Sequence, residues 1–310
     1  MTAKARRGTA RRLGRQGSQL AFLVAVVIAV SLVLWAGIRI AGRNDKSRAP
    51  NQDGDPGVSH VHGLGLNPAD GALIVATHHG AFRIPPGGDE ADRIGDSFQD
   101  TMGFTVAGRN RFLGSGHPDV KGMQAGQPAR LGLIESADGG ATWSALSLSG
   151  QVDFHALAFV HDRVYGWDSG TGRFMVSTDR TNWDTRSTLD LFGFAVDPDD
   201  PDHIVGAGPD GLTESSDGGR TWADGGGPRA VTLSWDPQGG LWGADPDGAV
   251  WHRAGSRWER AGELPGQPQA LLATPDVLYA AAQDDGGLTT IYRSADDGRT
   301  WDLRYRDTER

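Results

Sequence analysis

The sequence contains no cysteine among its 310 residues, and this absence alone excludes several kinds of site. Without cysteine the protein has no disulfide, no thiolate metal site, no cysteine nucleophile and no lipid anchor attached through a lipobox. Tyrosine and methionine are scarce, with four of each. The lack of thiols does not identify the compartment, because proteins without disulfides occur in all of them.

Positive charge is scarce after residue 50. Residues 1–50 hold ten Lys or Arg and one Asp, a net charge of +9, whereas residues 51–310 hold twenty basic and thirty-eight acidic residues, a net charge of −18. A body of this sign repels phosphate backbones, so nucleic acid is not an expected partner. With 46 glycines, 38% hydrophobic and 22% charged residues, the chain is too apolar for a disordered tail and long enough to bury a core.

One long hydrophobic run lies near the N-terminus. The nineteen residues from Leu20 to Ile38 carry no charge, which is about the length of helix that crosses a bilayer. Six basic residues and no acid precede the run, so the positive-inside preference predicts a single pass through the cell membrane with a cytoplasmic N-terminus. The predicted order is a cytoplasmic basic segment (1–18), a transmembrane helix (19–39), a polar linker (40–57) and an extracytoplasmic domain (58–310). A cleaved signal peptide is the alternative, which the length of the run and the lack of a clear A-x-A site disfavour.

The rest of the chain is a repeat marked by tryptophan. Three segments read S-x-D-x-G-x-T-W, and a fourth, shorter copy keeps only Ser, Asp and Trp. Five tryptophans, at positions 143, 183, 222, 258 and 301, are separated by 40, 39, 36 and 43 positions. A period near forty residues built from short β-type segments is typical of propeller blades.

Each period contains four short apolar runs separated by turns, which predicts one four-stranded antiparallel blade per period. The blades start near His62, Met102, Asp153, Gly193, Ala230 and Gln269, at about 42 residues per blade. The sequence therefore predicts an all-β fold, a six-bladed β-propeller preceded by one transmembrane helix. The last period supplies four strands of its own, so ring closure should need no strand from the N-terminus.

The repeated box has a structural explanation. Its Asp can accept backbone N–H groups of a tight turn, its Gly permits a positive φ, and its Trp is expected to be buried between neighbouring sheets. The predicted structural residues are Ser136, Asp138, Gly140 and Trp143; Ser177, Asp179 and Trp183; Ser215, Asp217, Gly219 and Trp222; and Ser294, Asp296, Gly298 and Trp301.

These boxes resemble the Asp-box, or BNR, repeats of sialidase-like propellers. The body more closely resembles bacterial BNR-repeat proteins labelled glycosyl hydrolases, through the segments HVHGLGLNP, ATHHG, DTMGF, SGHPD, GLIESADGGATW and VDFHAL. The resemblance covers about five-sixths of the chain and implies a glycoside hydrolase as one function. That implication rests on the fold, which hosts many unrelated activities.

Strand order predicts where a site would lie. In a four-stranded meander the boxes, between third and fourth strands, share one rim with the turns between first and second strands. We call this the box rim; the opposite, box-free rim carries the links between blades and the turns between second and third strands. Six of the nine histidines fall in the first three blades, and the positions predicted to converge on the box-free rim include His62, His78, His117, His155, Asp100 and Asp153.

These residue types leave three functions open. Histidines with a carboxylate are suited to a transition metal, which would be the cofactor of this cluster. The function that the sequence favours is the binding of a ligand or partner, such as a glycan or a protein, on the box-free rim by a membrane-anchored propeller, because no catalytic set of residues is complete. A hydrolase would use Asp100 and Asp153 as its two carboxylates. Trp167 is the only one of Trp167, Trp235, Trp242 and Trp251 that strand order places on this rim, where it could stack on a sugar, and the loop at 115–130 could lie over the rim as a lid.

A true sialidase is not expected. Residues 82–85 spell the FRIP signature, which carries one arginine of a sialidase site, but they fall on the third strand of blade one, leading to the box rim. None of Tyr165, Tyr279, Tyr292 and Tyr305 has a recognisable glutamate partner for a tyrosine nucleophile. The sequence thus leaves open whether the protein is an enzyme.

Overall fold

The computed structural model describes residues 55–307, which form a β-propeller of six four-stranded antiparallel sheets. Within every sheet the strands follow chain order, so each blade is a meander, and the predicted six-bladed architecture is confirmed. The predicted transmembrane helix and the basic segment before it lie outside the described residues. Within residues 55–307, no helix is both long and apolar enough to cross a membrane.

The first three blades contain the predicted site positions. Blade one comprises β1 (Val61–Leu66), β2 (Leu73–Thr77), β3 (Gly80–Ile84) and β4 (Asp92–Arg93). Blade two comprises β5 (Asp100–Gly108), β6 (Arg111–His117), β7 (Leu133–Ser136) and β8 (Ser144–Ser147), with a short helix α1 (Val120–Gln124) between β6 and β7. Blade three comprises β9 (Phe154–Val160), β10 (Arg163–Asp168), β11 (Arg173–Ser177) and β12 (Asp184–Thr188).

The last three blades complete the ring. Blade four comprises β13 (Gly193–Val196), β14 (Ile204–Gly208), β15 (Gly211–Ser215) and β16 (Ala223–Asp224). Blade five comprises β17 (Thr232–Trp235), β18 (Leu241–Ala244), β19 (Ala249–Ala254) and β20 (Arg257–Glu263). Blade six comprises β21 (Gln267–Ala273), β22 (Leu278–Gln283), β23 (Thr289–Ser294) and β24 (Asp302–Arg306).

Burial changes across each blade. The second strands are the most deeply buried; every residue of β2 and of β18 is buried. The fourth strands are largely exposed, as in β12 and β24. A strand covered on both faces is a nearly continuous apolar run, which is why LIVAT and LWGA do not alternate. The hydrophobic core therefore lies in layers between adjacent blades.

The repeated boxes are turns held by their own side chains. In the first box the Ser136 hydroxyl donates to Asp138 at 2.8 Å, and the Gly140 N–H donates back to Ser136 Oγ at 2.8 Å. Asp138 also accepts the Thr142 N–H at 2.9 Å. Gly140 has a φ of +95°, the left-handed conformation for which this position needs glycine. The box is therefore a self-contained structural turn.

The same bonds recur in the boxes that begin at Ser215 and Ser294. The Thr300 N–H and hydroxyl donate to Asp296 and hold the pKa of that carboxyl at about 2. In the shorter copy, Arg180 has a φ of +67° and its N–H donates to Ser177 Oγ at 2.8 Å. A single residue in the left-handed conformation thus closes the turn that is one residue shorter.

The expectation that box tryptophans are buried was wrong. Trp143, Trp183, Trp222 and Trp301 are all half-buried. The indole N–H of Trp183 donates to Ser147 Oγ at 3.0 Å, and that of Trp222 donates to Ser187 Oγ at 2.9 Å. Both serines lie on the outer strand of the preceding blade. Each of these two indole rings therefore bridges two blades near their outer edge, where one side of the indole stays in solvent.

Closure of the ring uses side chains and packing, without a shared strand. Blade six pairs four of its own strands, as predicted. The side chain of Gln269 accepts the Val61 N–H at 3.0 Å, and the fully buried Val58 packs in one cluster with Ala281 and Ile291. Blade one thus contacts blade six directly.

Candidate functional site

The boxes and the predicted site residues lie on opposite rims. In blade two, Phe112 at one end of β6 pairs with Ser136 of the box strand, whereas His117 is the last residue at the other end of β6. The residues of the box-free rim thus include the ends of second strands and the starts of first strands. Strand parity had placed the four histidines on this rim.

Four first strands are kinked by a β-bulge at the box-free rim. The register shifts between Val61 and Gly63 in β1, between Thr101 and Gly103 in β5, between Phe154 and Ala156 in β9, and between Pro268 and Ala270 in β21. The unpaired residues are His62, Met102, His155 and Gln269. A bulge re-aims the side chain of its extra residue, and bulges are common beside functional sites.

The site lies at the mouth of a cavity that follows the propeller axis. This cavity has a volume of about 700 Å³ and is lined by the first strands of all six blades. His62 and His155 line it at the box-free rim, together with Phe192, whose exposed fraction is 54%. Most of the remaining lining is apolar. The mouth therefore combines imidazoles from blades one and three with an exposed aromatic ring before blade four.

The first cluster joins blades one and two. Asp100, the first residue of β5, lies with its Oδ1 3.2 Å from His62 Nε2 and its Oδ2 3.0 Å from His78 Nδ1. His62 Nε2 and Asp100 Oδ1 are both buried, yet their geometry is not that of a hydrogen bond, and neither has another hydrogen-bond partner among residues 55–307. The two atoms therefore face each other with unused bonding capacity.

The second cluster joins blades two and three. Asp153 Oδ2 lies 3.0 Å from His155 Nε2 and 3.3 Å from His117 Nε2. The other imidazole nitrogen of His117 is 2.8 Å from the carbonyl oxygen of Ala129, which fixes the orientation of the ring. Asp153 Oδ1 is buried and has no hydrogen-bond partner within the described part of the chain.

The two clusters are contiguous. Asp100 of the first cluster and His117 of the second are directly opposite each other in the β5–β6 pair. Residues paired in this way have Cα atoms about 4.5–5.5 Å apart and side chains on the same face. Blade two therefore contributes one residue to each cluster, from two adjacent strands.

The pKa of the Asp153 carboxyl is lowered by its surroundings. Burial raises the pKa of Asp153, but the hydrogen bond from His155 and the charges of His155 and His117 outweigh it, so the net pKa lies below the ordinary value. The fully buried Asp168 accepts the Asp153 N–H at 3.0 Å and so fixes the backbone of that residue. The rim thus presents a negative charge that its histidines surround.

The neighbouring His60 also has a perturbed pKa. Burial, followed by the proximity of His62 and His78, lowers the pKa of its imidazole. The ring lies 4.8 Å from that of His62 in an edge-on arrangement.

Each cluster has the composition of a transition-metal site. In each, two imidazole nitrogens and one carboxylate oxygen lie within 4.8 Å of one another. Ligands bound at about 2.0–2.2 Å around a tetrahedral ion are about 3.3–3.6 Å apart. The nitrogen–oxygen distances of 3.0–3.3 Å are close to this spacing. A small inward or outward adjustment of the side chains would admit an ion.

Two expectations about this rim were wrong. Trp167 is buried, with 8% exposed, and its indole N–H donates to the Leu189 carbonyl at 2.9 Å, so it offers no surface for a sugar. The loop at 115–130 does not cover the axis. Its helix α1 packs on the flank of blade two, where Gly122 and Ala125 line a cavity with Trp143 and Ala145. The Phe98 N–H donates to Asp119 at 3.0 Å and holds the loop there.

The arginine of the FRIP segment lies away from the site. Arg83 forms an ion pair with Asp70 at 3.0 Å, and Asp70 is in the turn between β1 and β2 on the box rim. Of the four tyrosines, Tyr165 is fully buried, and its hydroxyl donates to the Pro201 carbonyl. Neither group could act together with the histidine clusters.

Sequence reasoning did not identify Phe192 or the bulges. Phe192 directly precedes the predicted start of blade four, so strand order was a signal for a rim position, but the sequence alone did not show that its ring is exposed. A bulge shifts pairing by one residue, and strand pattern alone does not show where the extra residue lies.

Comparison with known proteins identifies the fold and no closer relationship. No protein-family model matches the chain, and no curated protein sequence matches it. Among solved structures, the chain is similar to the GH74 xyloglucanase from Xanthomonas campestris, with 19% sequence identity and a TM-score of 0.53. The match covers 80% of this chain and 45% of the xyloglucanase, so the chain spans less than half of that enzyme's length.

Two further structures match with a TM-score of 0.58. One is a gluconolactonase from Xanthomonas campestris, with 14% identity over 72% of this chain and 83% of that one. The other comes from a nidogen/laminin complex, with 12% identity over 76% of this chain and 93% of that one. At these identities the likeness shows the fold alone. The chain is thus a β-propeller similar in fold to a glycoside hydrolase, a lactonase and a component of a protein complex.

Proposed function

We propose that the protein binds a transition-metal ion on the box-free rim of its propeller. The observation that carries this proposal is the pair of His–Asp–His clusters, formed by His62, His78 and Asp100 and by His117, Asp153 and His155. Imidazole and carboxylate ligands suit Zn²⁺ and Cu²⁺, whereas Mg²⁺ and Ca²⁺ prefer oxygen alone. The unsatisfied buried atoms of His62, Asp100 and Asp153 favour an ion over direct hydrogen bonds.

Glycoside hydrolysis is supported less well by the same residues. A glycosidase needs a general acid whose pKa is raised, beside a second carboxylate that stays ionised. The pKa of Asp153 is lowered, and both Asp153 and Asp100 are flanked by two imidazoles each. This arrangement favours carboxylates that hold a cation over carboxylates that transfer a proton to a sugar.

The proposed location follows from the N-terminal sequence. The uncharged run from Leu20 to Ile38, with basic residues before it, supports a membrane tether with the propeller outside the cytoplasm. The metal site would then be open to an extracytoplasmic solution, and a glycan or protein there remains a second partner that the exposed Phe192 would suit. The net charge of −18 on residues 51–310 favours cations near this surface.

Metal content measured on the full chain tests the proposed function. The protein is purified without an affinity tag, stripped with a chelator, incubated with Zn²⁺ or Cu²⁺, desalted and measured by mass spectrometry. We expect at least one ion bound per chain. The double variant His62→Ala/His155→Ala should retain less than about a tenth of the wild-type metal content, because removal of one ligand from each cluster strongly lowers metal affinity.

His252→Gln is the matched control. His252 lies on β19 and stacks on Trp242 with ring centroids 4.1 Å apart, away from both clusters. The metal content of the His252→Gln variant should equal that of the wild type. Negligible metal in the wild type, or equal metal in the wild type and the double variant, would show that the clusters are only ion pairs between blades.

A further inference from the structure

Methionine occupies the same structural position in blade two that histidine occupies in blades one and three. The bulged residues of β1, β5 and β9 are His62, Met102 and His155. These three strands are neighbours around the axis, and each bulge lies at the box-free rim. The repeat therefore places the backbone of Met102 between the backbones of His62 and His155 on this rim.

Close backbone contacts beside the bulges support this placement. A Cβ atom built on Gly63, the residue after His62, would lie 3.0 Å from the Cβ of Phe104. A Cβ atom built on Gly103, the residue after Met102, would lie 2.5 Å from the carbonyl oxygen of Phe154. Phe154 directly precedes His155. The three first strands thus touch immediately next to the three bulged residues.

Met102 also follows a ligand candidate on its own strand. It is two residues after Asp100, which faces His62 and His78, and it is half-buried. Gly116, on the partner strand β6, is so close that a Cβ built on it would lie 2.9 Å from the backbone nitrogen of Met102. The residue after Gly116 is His117 of the second cluster. The thioether of Met102 is therefore carried by blade two, the blade that contributes Asp100 to the first cluster and His117 to the second.

The chemistry of a thioether is selective. Sulfur of methionine is a soft ligand that favours Cu(I), whereas Zn²⁺ is bound well by nitrogen and oxygen alone. A methionine among histidines would add affinity for Cu(I) and little for Zn²⁺. We infer that Met102 supplies a thioether ligand and that the ion bound by this rim is copper, held as Cu(I). This inference rests on the proposed metal site.

Cu(I) affinity of the full chain tests this inference. The protein is titrated without oxygen, in the presence of ascorbate, against a chromophoric Cu(I) chelator, and Zn²⁺ affinity is measured in a parallel competition. We expect Met102→Leu, which conserves volume, to lower Cu(I) affinity by about 10–100-fold, the usual loss when metal coordination is perturbed. Zn²⁺ affinity should stay within about twofold of the wild type.

Met123→Leu is the matched control. Met123 lies on α1, six residues after His117, and 55% of it is exposed, so its replacement should change neither affinity. X-ray absorption of the Cu(I)-loaded wild type provides a measurement that needs no variant, and it should show sulfur scattering. Equal Cu(I) affinity in the wild type and Met102→Leu, or absence of sulfur scattering, would overturn the role of Met102.

The same data separate this inference from the proposed function. Tight Zn²⁺ binding with no sulfur ligand to copper would leave the metal site standing and reject copper selectivity by Met102. If the wild type binds neither ion, the metal site itself is rejected and the role of Met102 with it.

Discussion

Replacement of Phe174 by alanine is expected to lower the free energy of unfolding by about 3–5 kcal/mol. The side chain is fully buried between blades three and four, where its ring packs 5.0 Å from Phe194 and 5.3 Å from Trp222. A Cβ on the box residue Gly219 would be 2.4 Å from Phe174, so the ring also fills the space beneath that box. Equilibrium denaturation in guanidinium chloride measures the loss.

Phe192→Ala is the control for this prediction. The residue has the same chemistry but is 54% exposed at the box-free rim, so we expect a change within about 0.5 kcal/mol. Equal losses in the two variants would contradict the assignment of the inter-blade layers as the core.

Replacement of Gly116 by alanine is expected to lower stability by about 2–4 kcal/mol and to abolish metal binding at both clusters. Gly116 has a φ of +138°, and a Cβ there would lie 2.0 Å from the carbonyl oxygen of Asp100. The collision would separate β5 from β6 beside the pair formed by Asp100 and His117. Denaturation and metal content of the same preparation measure both effects.

Gly108→Ala is a control for the backbone conformation alone. Gly108 lies at the other end of β5 with a φ of +148°, and a Cβ there would meet nothing within 4 Å. We expect a loss of about 1–2 kcal/mol from the unfavourable φ, with metal content unchanged. Loss of metal in both variants would mean that any weakening of blade two disrupts the site, so the collision would not be the cause.

The blades could be predicted from the sequence because each carries a local signal. The box at Ser136–Trp143 closes its turn with its own hydroxyl, carboxylate and glycine, so its function is encoded within eight residues. Since copies recur near every fortieth position, strand order and therefore the rim of each turn could be inferred by counting. This reasoning placed Asp100 and Asp153 on one rim with the histidines.

The features that could not be predicted depend on strand register and on contacts between residues distant in sequence. Trp167 reads as a strand-end aromatic, yet its burial depends on the carbonyl of Leu189 twenty-two residues later. The position of the 115–130 loop depends on the backbone of Phe98 bonding to Asp119. Bulges at His62, Met102 and His155 require knowledge of register, which a slip of one residue alters completely. The anchor at 19–39 stays a prediction.

The most direct test of the metal site is anomalous X-ray diffraction from crystals of the protein loaded with Zn²⁺ or copper. We predict an anomalous peak at the box-free mouth of the axial cavity, about 2.0–2.2 Å from imidazole nitrogens of His62 and His78, of His117 and His155, or of both pairs. A loaded crystal whose anomalous peaks all lie on the box rim, or that shows none, would contradict the account.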